Sequence, residues 1–193
     1  MLPIQEDDGS VSSRIFAGSY AAIDKLIDGT PVKVRAIRPD DKPVLIEGMH
    51  HLSKQSLYFR FFTPKDKLTD DELGYFTELD FVHHVGLLAS VVEDDSERPA
   101  GVGRYIMSSS GTEKPVAELA FTVVEEYQGL GIATLLLKHL IQIARSEGIV
   151  ELTANVMPEN VAMLKVLRNS GLPMKRFLNI ANVLEISLSL REE

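Results

Sequence analysis

The fold of this chain is decided by the stretch VAELAFTVVEEYQGLGIATLLLKHLIQIARSEG, residues 116–148 of 193. Residues 116–124 form a near-continuous apolar run of the kind that fills a buried strand. From Ile132 onward apolar residues recur at helical spacing, until Gly148 offers a left-handed C-terminal cap. The stretch therefore predicts a strand, a turn and a long helix in succession.

The turn between this strand and this helix carries Gly129 and Gly131. Glycines at the start of a helix let a ligand approach bare backbone, where the first N–H groups have no partner inside the helix. With the positive end of the helix dipole, these N–H groups form a phosphate site that needs no cationic side chain. On these features alone, an ordinary strand-to-helix turn that uses glycine for conformational freedom is the alternative.

Two other nucleotide-binding motifs fit the turn less well. A dinucleotide-binding fold needs a third glycine where Thr134 stands, and it expects repeated strand–helix units. A P-loop is excluded because no Gly-Lys-Ser/Thr follows the turn.

Composition narrows the classes of function. The chain is 45% hydrophobic, enough for one sizeable domain with an N-terminal extension, which we assign to residues 1–30. It contains no cysteine, which excludes disulfides, thiolate zinc sites and cysteine nucleophiles. A net charge of −8 argues against nucleic-acid binding. No apolar run approaches the roughly 20 residues of a membrane span, and residues 1–10 do not resemble a signal peptide. We therefore expect a cytoplasmic protein that has no membrane among its partners.

The first half of the chain predicts short elements around this centre. Residues 21–27 are compatible with a short helix within an otherwise acidic and polar extension. Residues 32–38 alternate apolar and basic side chains, as in a half-buried strand, and a helix follows to about Leu52. Thr69 and Glu72 form a capping box that starts another short helix toward Thr77.

An antiparallel meander is predicted between residues 85 and 124. Strands at 85–92 and 101–108 are joined by a charged turn at 93–99, and a second turn at 108–111 leads into the central strand. His83 and His84 enter the first of these strands with side chains on opposite faces, which is poor geometry for a shared metal.

The chain after the central helix predicts a parallel strand and a hairpin. The strand at 151–156 follows the central strand through a helical crossover, so the two should be parallel. Asn160 can cap a helix over 161–170, and strands at 175–178 and 183–190 complete a hairpin.

The motif Gln128-x-x-Gly131-x-Ala133 resembles the Gln/Arg-x-x-Gly-x-Gly/Ala signature of the GNAT superfamily, the acetyl-CoA-dependent N-acetyltransferases. The strands and helices on both sides resemble the second half of that fold in order and spacing. Arg38-Pro39-x-Asp41 followed by Tyr58-x-Arg60-Phe61-Phe62 is similar to the bacterial protein-lysine acetyltransferases that modify acyl-CoA synthetases. The resemblance covers most of residues 32–191.

This resemblance implies a GNAT domain over residues 31–193, of mixed α/β class. The expected sheet is mixed and mostly antiparallel, with a parallel pair at the acetyl-CoA cleft and helices on its flanks. The cleft would lie between the parallel strands at Phe121 and Asn155, and no metal would be required. By resemblance, the cofactor-binding residues are Phe121, Thr122 and Val123 at the pantetheine, Gln128, Gly129, Leu130, Gly131, Ile132, Ala133 and Thr134 at the pyrophosphate, and Asn155 and Asn160 beside them.

The candidate general base is Glu118. Strand alternation puts Glu118, Ala120 and Thr122 on one face, so a carboxylate interrupts apolar and small residues. Without the family, a glutamate paired with a lysine or arginine at the sheet surface is the favoured interpretation. The resemblance implies a catalytic base at this position. The tyrosine that many members have seven residues after the asparagine is replaced here by Leu167, so we expect water or another side chain as the acid.

The acceptor suggested by the resemblance is a protein lysine, such as one on an acyl-CoA synthetase. A small-molecule amine acetyltransferase and a non-enzymatic acyl-CoA sensor on the same fold are the alternatives, and an oligomer is compatible with the sequence. Arg60 could bind an anionic group, although a buried stem with a paired head is the favoured interpretation.

Overall fold

An eight-stranded mixed sheet dominates the computed structural model, which describes residues 15–93, 96–108 and 115–191. The strands are β1 (Ala21–Lys25), β2 (Pro31–Ala36), β3 (His84–Glu93), β4 (Ser96–Met107), β5 (Val116–Val123), β6 (Glu151–Val156), β7 (Met174–Leu178) and β8 (Leu184–Ser189). The α-helices are α1 (Lys42–His50), α2 (Lys54–Phe61), α3 (Asp70–Thr77), α4 (Ile132–Ser146) and α5 (Val161–Arg168). The predicted mixed α/β class is confirmed.

The strand order is β1-β2-β3-β4-β5-β6-β8-β7. Within the described part of the chain, β5 and β6 are the one parallel pair, and all other neighbours are antiparallel. The β1–β2, β3–β4 and β7–β8 pairs are antiparallel because short connections turn the chain back on itself, whereas the α4 crossover brings β6 back beside β5 in the same direction.

Helix α4 packs closely on the sheet. Leu136, Leu140 and Ile143 are fully buried in the core together with Ala117 of β5. Burying each such leucine side chain stabilises the fold by about 1.5–3 kcal/mol. The approach is close enough that a Cβ on Gly103 of β4 would lie 3.1 Å from the Leu136 Cβ and 3.0 Å from the Phe121 ring, so a larger residue there would require these side chains to shift.

The helix predicted over residues 21–27 is wrong, since the segment forms strand β1. Ala21 pairs with Arg35 and Lys25 with Pro31, so backbone bonds to β2 outweigh the weak helical preference of a short segment. The described part of the N-terminal extension thus belongs to the sheet, and its acidic start lies outside the described residues.

The predicted charged turn at residues 93–99 is too long. Strand β4 already begins at Ser96, and Glu93 pairs with Ser96. Cross-strand pairing continues into charged residues because this end of the hairpin is exposed, and Glu97 meets Lys33 in an ion pair of 2.5 Å. The turn predicted at 108–111 lies, beyond Ser108, outside the described residues.

Several local predictions are confirmed by their hydrogen bonds or burial. Thr69 and Glu72 form the capping box of α3. At the start of β3, His84 is buried whereas His83 is exposed, as expected for neighbours on opposite faces of a strand.

Candidate active site

The parallel strands β5 and β6 separate into a fork. They pair over three positions only, from Val116↔Glu151 to Glu118↔Thr153. Beyond this point β5 stays paired with β4 as far as Val123, and β6 stays paired with β8 as far as Val156. The facing edges therefore carry backbone N–H and C=O groups without a strand partner, and such groups can bind an extended ligand. The predicted residues Phe121, Thr122 and Val123 lie on one edge of this cleft and Asn155 on the other.

Glu118 lies at the point where the fork opens. Its side chain is exposed, and its Oε1 accepts a hydrogen bond from the Asn155 Nδ2 at 3.0 Å. Among the described residues no lysine or arginine lies within ion-pair distance of it, although the charge of Arg60 acts on it from farther away. The carboxylate is fixed at one oxygen by a neutral donor and is reachable from solvent.

The glycine turn after β5 has an open backbone. Gly129 and Gly131 have positive φ angles of 78° and 100°, and a Cβ at either would meet no atom of the described residues within 4 Å. Within the part of the chain that the structure describes, no side chain caps the N-terminus of α4, whereas Ser53, Thr69 and Asn160 cap α2, α3 and α5. The N–H groups of half-buried Ala133 and exposed Thr134 are thus left for solvent or a ligand. Ile132, which is also among the predicted cofactor-binding residues, is buried as a whole residue and packs in the core.

Gln128 uses its side chain inside the protein. Its Nε2 donates to the Val123 carbonyl at 3.1 Å and to the Ser56 hydroxyl at 3.2 Å. Ser56 in turn donates to Glu125 at 2.6 Å, and the Ser53 N–H donates to the same carboxylate at 2.9 Å. These hydrogen bonds lower the pKa of Glu125. We call Ser53, Ser56, Glu125 and Gln128 the turn latch, because together they join the start of α2 to the glycine turn.

The turn latch was missed by the sequence reasoning. Ser53 could have been found as the N-cap of α2, since a serine precedes that helix. Its link to Glu125 joins residues 72 positions apart, and no local pattern reports such a contact.

Two positions after β6 have defined structural roles. The Asn160 side-chain oxygen accepts from the Met163 N–H at 3.1 Å and caps α5. The predicted contact of Asn160 with the cofactor would therefore use its side-chain NH2 or its backbone. Leu167 is fully buried in the core. A side chain at that position belongs to the packing between α5 and the sheet, so the missing acid cannot be restored there without disturbing the core.

Two arginines approach the Glu118 face of the sheet. The Arg60 guanidinium lies over the rings of Phe61 and Phe76, with its Cζ 5.0 Å and 5.7 Å from their centroids. The favoured interpretation of a paired head is wrong, because within the described chain no carboxylate pairs with it. Arg104, which sequence reasoning missed, is buried on β4. A basic residue within the largely apolar run at 100–107 was the available signal.

The described residues contain neither a candidate metal site nor a candidate membrane-spanning helix. Within ranges 15–93, 96–108 and 115–191, no group of three or more histidine, aspartate or glutamate side chains is arranged to hold a metal ion. Over the same ranges no helix has the length and apolar character to cross a membrane.

Comparison with known proteins gives consistent matches. The model of the acetyltransferase (GNAT) family matches residues 47–172. An acetyltransferase of Pseudomonas aeruginosa is 30% identical over 126 residues, which are 65% of this chain and 66% of that protein. Acetyltransferase Pat of Mycolicibacterium smegmatis is 31% identical over 144 residues, covering 72% of this chain but only 40% of that protein. The chain therefore aligns with less than two thirds of the length of either relative.

A solved structure is similar over nearly the whole domain. The crystal structure of the GNAT domain of S. lividans PAT is 34% identical, with a TM-score of 0.78. The superposition covers 88% of this chain and 96% of the solved domain. The strand fork and the glycine turn thus lie within a fold that is shared along its length.

Proposed function

This chain belongs to the GNAT family of acetyltransferases, and from that membership we propose that it transfers the acetyl group of acetyl-CoA to the side-chain amine of a protein lysine. The observation that carries the proposal is the order of three features along and after β5. Glu118 stands where the fork from β6 begins, the edge of β5 without a strand partner follows it, and the chain then enters the open glycine turn.

The residues around the cleft fit the proposed donor. The backbone edge at Phe121–Val123 has no strand partner on the β6 side, and Gln128 occupies only its Val123 carbonyl. Its remaining groups suit the amides of a pantetheine arm, which can add to the edge as a short strand. The uncapped N–H groups at the start of α4 suit a pyrophosphate, since both the donors and the helix dipole favour negative charge. When bound, acetyl-CoA supplies an activated acetyl group as a thioester.

Glu118 is the proposed general base. A lysine amine with a pKa near 10.4 is almost wholly protonated at neutral pH, and only its neutral form is nucleophilic. The open carboxylate oxygen of Glu118 can take that proton, directly or through water, while Asn155 holds the other oxygen. In the overall reaction the nitrogen–carbon bond forms, the carbon–sulfur bond breaks, and CoA leaves after taking a proton from water.

A protein lysine is favoured as the acceptor by the exposure of the base. Glu118 lies in an exposed position on the sheet, so a lysine carried on a large molecule could reach it. One relative bears the name Pat, and the similar solved domain comes from a PAT protein. With the resemblance at Tyr58 to Phe62, this favours a lysine on an acyl-CoA synthetase.

The test measures CoA release and acceptor mass together. The protein is incubated with acetyl-CoA and, separately, an acyl-CoA synthetase, a mixture of lysine peptides, and a panel of small amines. We expect thiol release coupled to acetyllysine on the synthetase or the peptides. Turnover with small amines alone would refute the protein acceptor, and acetyl-CoA binding without release from any acceptor would instead identify a sensor.

A further inference from the structure

An apolar cavity lies beside the proposed reaction centre. Its volume is about 70 Å³, and it runs between α1, the segment after α2, and strands β4 and β5. Val44, Met49 and Leu52 line one side, and Ala120 and Thr122 of β5 line the other. This volume holds several water-sized groups, each of which needs about 10–15 Å³. It therefore suits a short chain of atoms and is too small for a large acceptor.

Two guanidinium groups border this apolar space. Arg104 is only 4% exposed, and its Nη1 lies 3.0 Å from the His84 Nε2 and 3.4 Å from the Phe76 carbonyl oxygen. Its Cζ lies 4.5 Å from the centroid of the Phe76 ring, the same ring that Arg60 contacts. Both arginines line the cavity. Over the described residues neither forms an ion pair with a carboxylate.

This arrangement leaves positive charge uncompensated. Buried charges in proteins are normally paired, because desolvation of an unpaired charge costs several kcal/mol. Burial, and then the charge of Arg60, lower the pKa of Arg104 to about 9, and burial lowers the pKa of Arg60. Glu118 attracts Arg60 from beyond ion-pair distance. Two guanidinium groups against one carboxylate leave one positive charge for a ligand to neutralise.

The cavity also lies close to the proposed thioester position. Arg104 is directly opposite Ala120 in the β4–β5 register, and both side chains point to the face that carries Glu118. Ala120 and Thr122 flank the backbone of Phe121, where the donor is proposed to bind. A chain that starts at this backbone and extends a few atoms along the same face would meet the two arginines.

We propose that this cavity receives the acyl chain of the donor, and that Arg60 and Arg104 bind a carboxylate at the end of that chain. The donors then include acyl-CoA esters of dicarboxylic acids, of which succinyl-CoA is the probe of suitable length. This inference rests on the proposed function. The chemistry is the same, since the amide forms at the thioester carbonyl, the carbon–sulfur bond breaks, and the distal carboxylate does not react.

The experiment compares succinyl-CoA with butyryl-CoA by calorimetry. The two esters have the same chain length and differ in a terminal carboxylate against a methyl group, so the ratio of their Kd values isolates the carboxylate. We expect succinyl-CoA to bind at least tenfold more tightly than butyryl-CoA. Arg60→Met and Arg104→Met should each reduce this ratio at least tenfold. Arg145→Met, at the exposed C-terminal end of α4, is the matched control and should leave the ratio unchanged.

Three outcomes would overturn the inference. The first is a ratio near one in the unmodified protein. The second is a ratio that survives both substitutions, with circular dichroism showing that at least Arg60→Met is folded. The third is free succinate that binds in an arginine-dependent way while the two esters bind equally, which would indicate an anion site unrelated to the donor. Acetyl-CoA is titrated in parallel, because its failure to bind would refute the proposed function itself.

Discussion

At the scale of the single residue, the proposed chemistry depends on Glu118. Glu118→Gln keeps the size and the contact with Asn155 but cannot accept a proton, so turnover should fall about 10²- to 10⁴-fold. Raising the pH should partly restore the rate, because more of the acceptor lysine is then neutral. Steady-state assays from pH 7 to pH 9.5 test this expectation, with acetyl-CoA affinity measured by calorimetry.

Glu126→Gln is the matched control for this substitution, since Glu126 is an exposed glutamate just beyond the same strand. Its turnover should stay close to that of the unmodified protein. Near-native turnover of Glu118→Gln at pH 7 would move the base to another group.

The glycine turn makes a second prediction at this scale. Gly131 has a φ angle of 100°, so Gly131→Ala costs on the order of 1–2 kcal/mol of backbone strain and adds a methyl group to the open surface. If phosphate approaches the bare backbone here, the affinity for acetyl-CoA should fall at least tenfold. Calorimetry measures the affinity, and urea unfolding measures the strain.

Gly29→Ala is the matched control, because it introduces the same backbone strain at a position outside the proposed acetyl-CoA site. Gly29 has a φ angle of 90° in the β1–β2 turn, and a Cβ there also meets no atom of the described ranges within 4 Å. Equal affinities for acetyl-CoA in the two glycine variants would remove the turn at Gly131 from the binding site.

Leu167 gives a third prediction. Because this side chain is fully buried, Leu167→Tyr should overpack the core and lower the free energy of unfolding by about 1–3 kcal/mol. It should not increase turnover, since a ring held in the core does not reach the leaving group. An increase of orders of magnitude at unchanged stability would show that the native chain lacks only its acid, and would favour the sensor alternative.

At the scale of the structural element, the turn latch connects α2 to the start of α4. The Glu125 carboxylate accepts from the Ser53 N–H and the Ser56 hydroxyl. The Gln128 Nε2 donates both to the Ser56 hydroxyl and to the Val123 carbonyl. Hydrogen bonds to a charged group are stronger than neutral ones. The latch therefore fixes the angle at which the glycine turn leaves the end of β5.

Removing the latch should loosen the turn. Glu125→Ala leaves Ser53 and Ser56 without their acceptor, and we expect the affinity for acetyl-CoA to weaken about 3- to 10-fold. Hydrogen exchange of the backbone amides in residues 125–131 should become faster. The neighbouring Glu126→Ala is the control, and equal behaviour of both variants would show that the latch has no influence on the turn.

At the scale of the whole molecule, buried His84 couples stability to pH. Burial, and then the positive charge of Arg104, lower its pKa from 6.5 to about 4. Between these values the unfolded chain binds more protons than the folded one, so stability is present above pH 6.5 and is lost as the pH falls toward 4. Between pH 7 and pH 5 this group should cost about 2 kcal/mol of unfolding free energy.

Urea unfolding at pH 7 and pH 5 measures this loss. His84→Gln retains an acceptor near the position of Nε2 but does not titrate. The free energy of unfolding of this variant should therefore fall by about 2 kcal/mol less between pH 7 and pH 5 than that of the unmodified protein. His83→Gln, on the exposed face of the same strand, should lose as much stability as the unmodified protein. An unchanged pH dependence in His84→Gln would assign the effect to other groups.

Local patterns were sufficient where neighbouring residues determine the structure. The apolar period of α4, the left-handed cap at Gly148 and the capping box at Thr69 depend on contacts within a few residues, and each is found as predicted. Where pairing with a distant strand decides the secondary structure, the prediction from local sequence was wrong. Residues 21–27 became an edge strand because β2 supplies the backbone partners that an isolated short helix lacks.

The sequence by itself determined the strand, turn and helix of residues 116–148 and the parallel pair, because these follow from periodicity and from a helical crossover. The resemblance of its motif to the GNAT signature indicated the family and made Glu118 and the glycine turn the candidate site. Only the tertiary structure decided where β5 and β6 part, that Asn155 holds Glu118, and that Arg60 and Arg104 share one cavity. These facts depend on side chains that lie far apart in sequence and meet only when the sheet and its helices pack. Their burial and electrostatics are properties of that packing rather than of any segment of the chain.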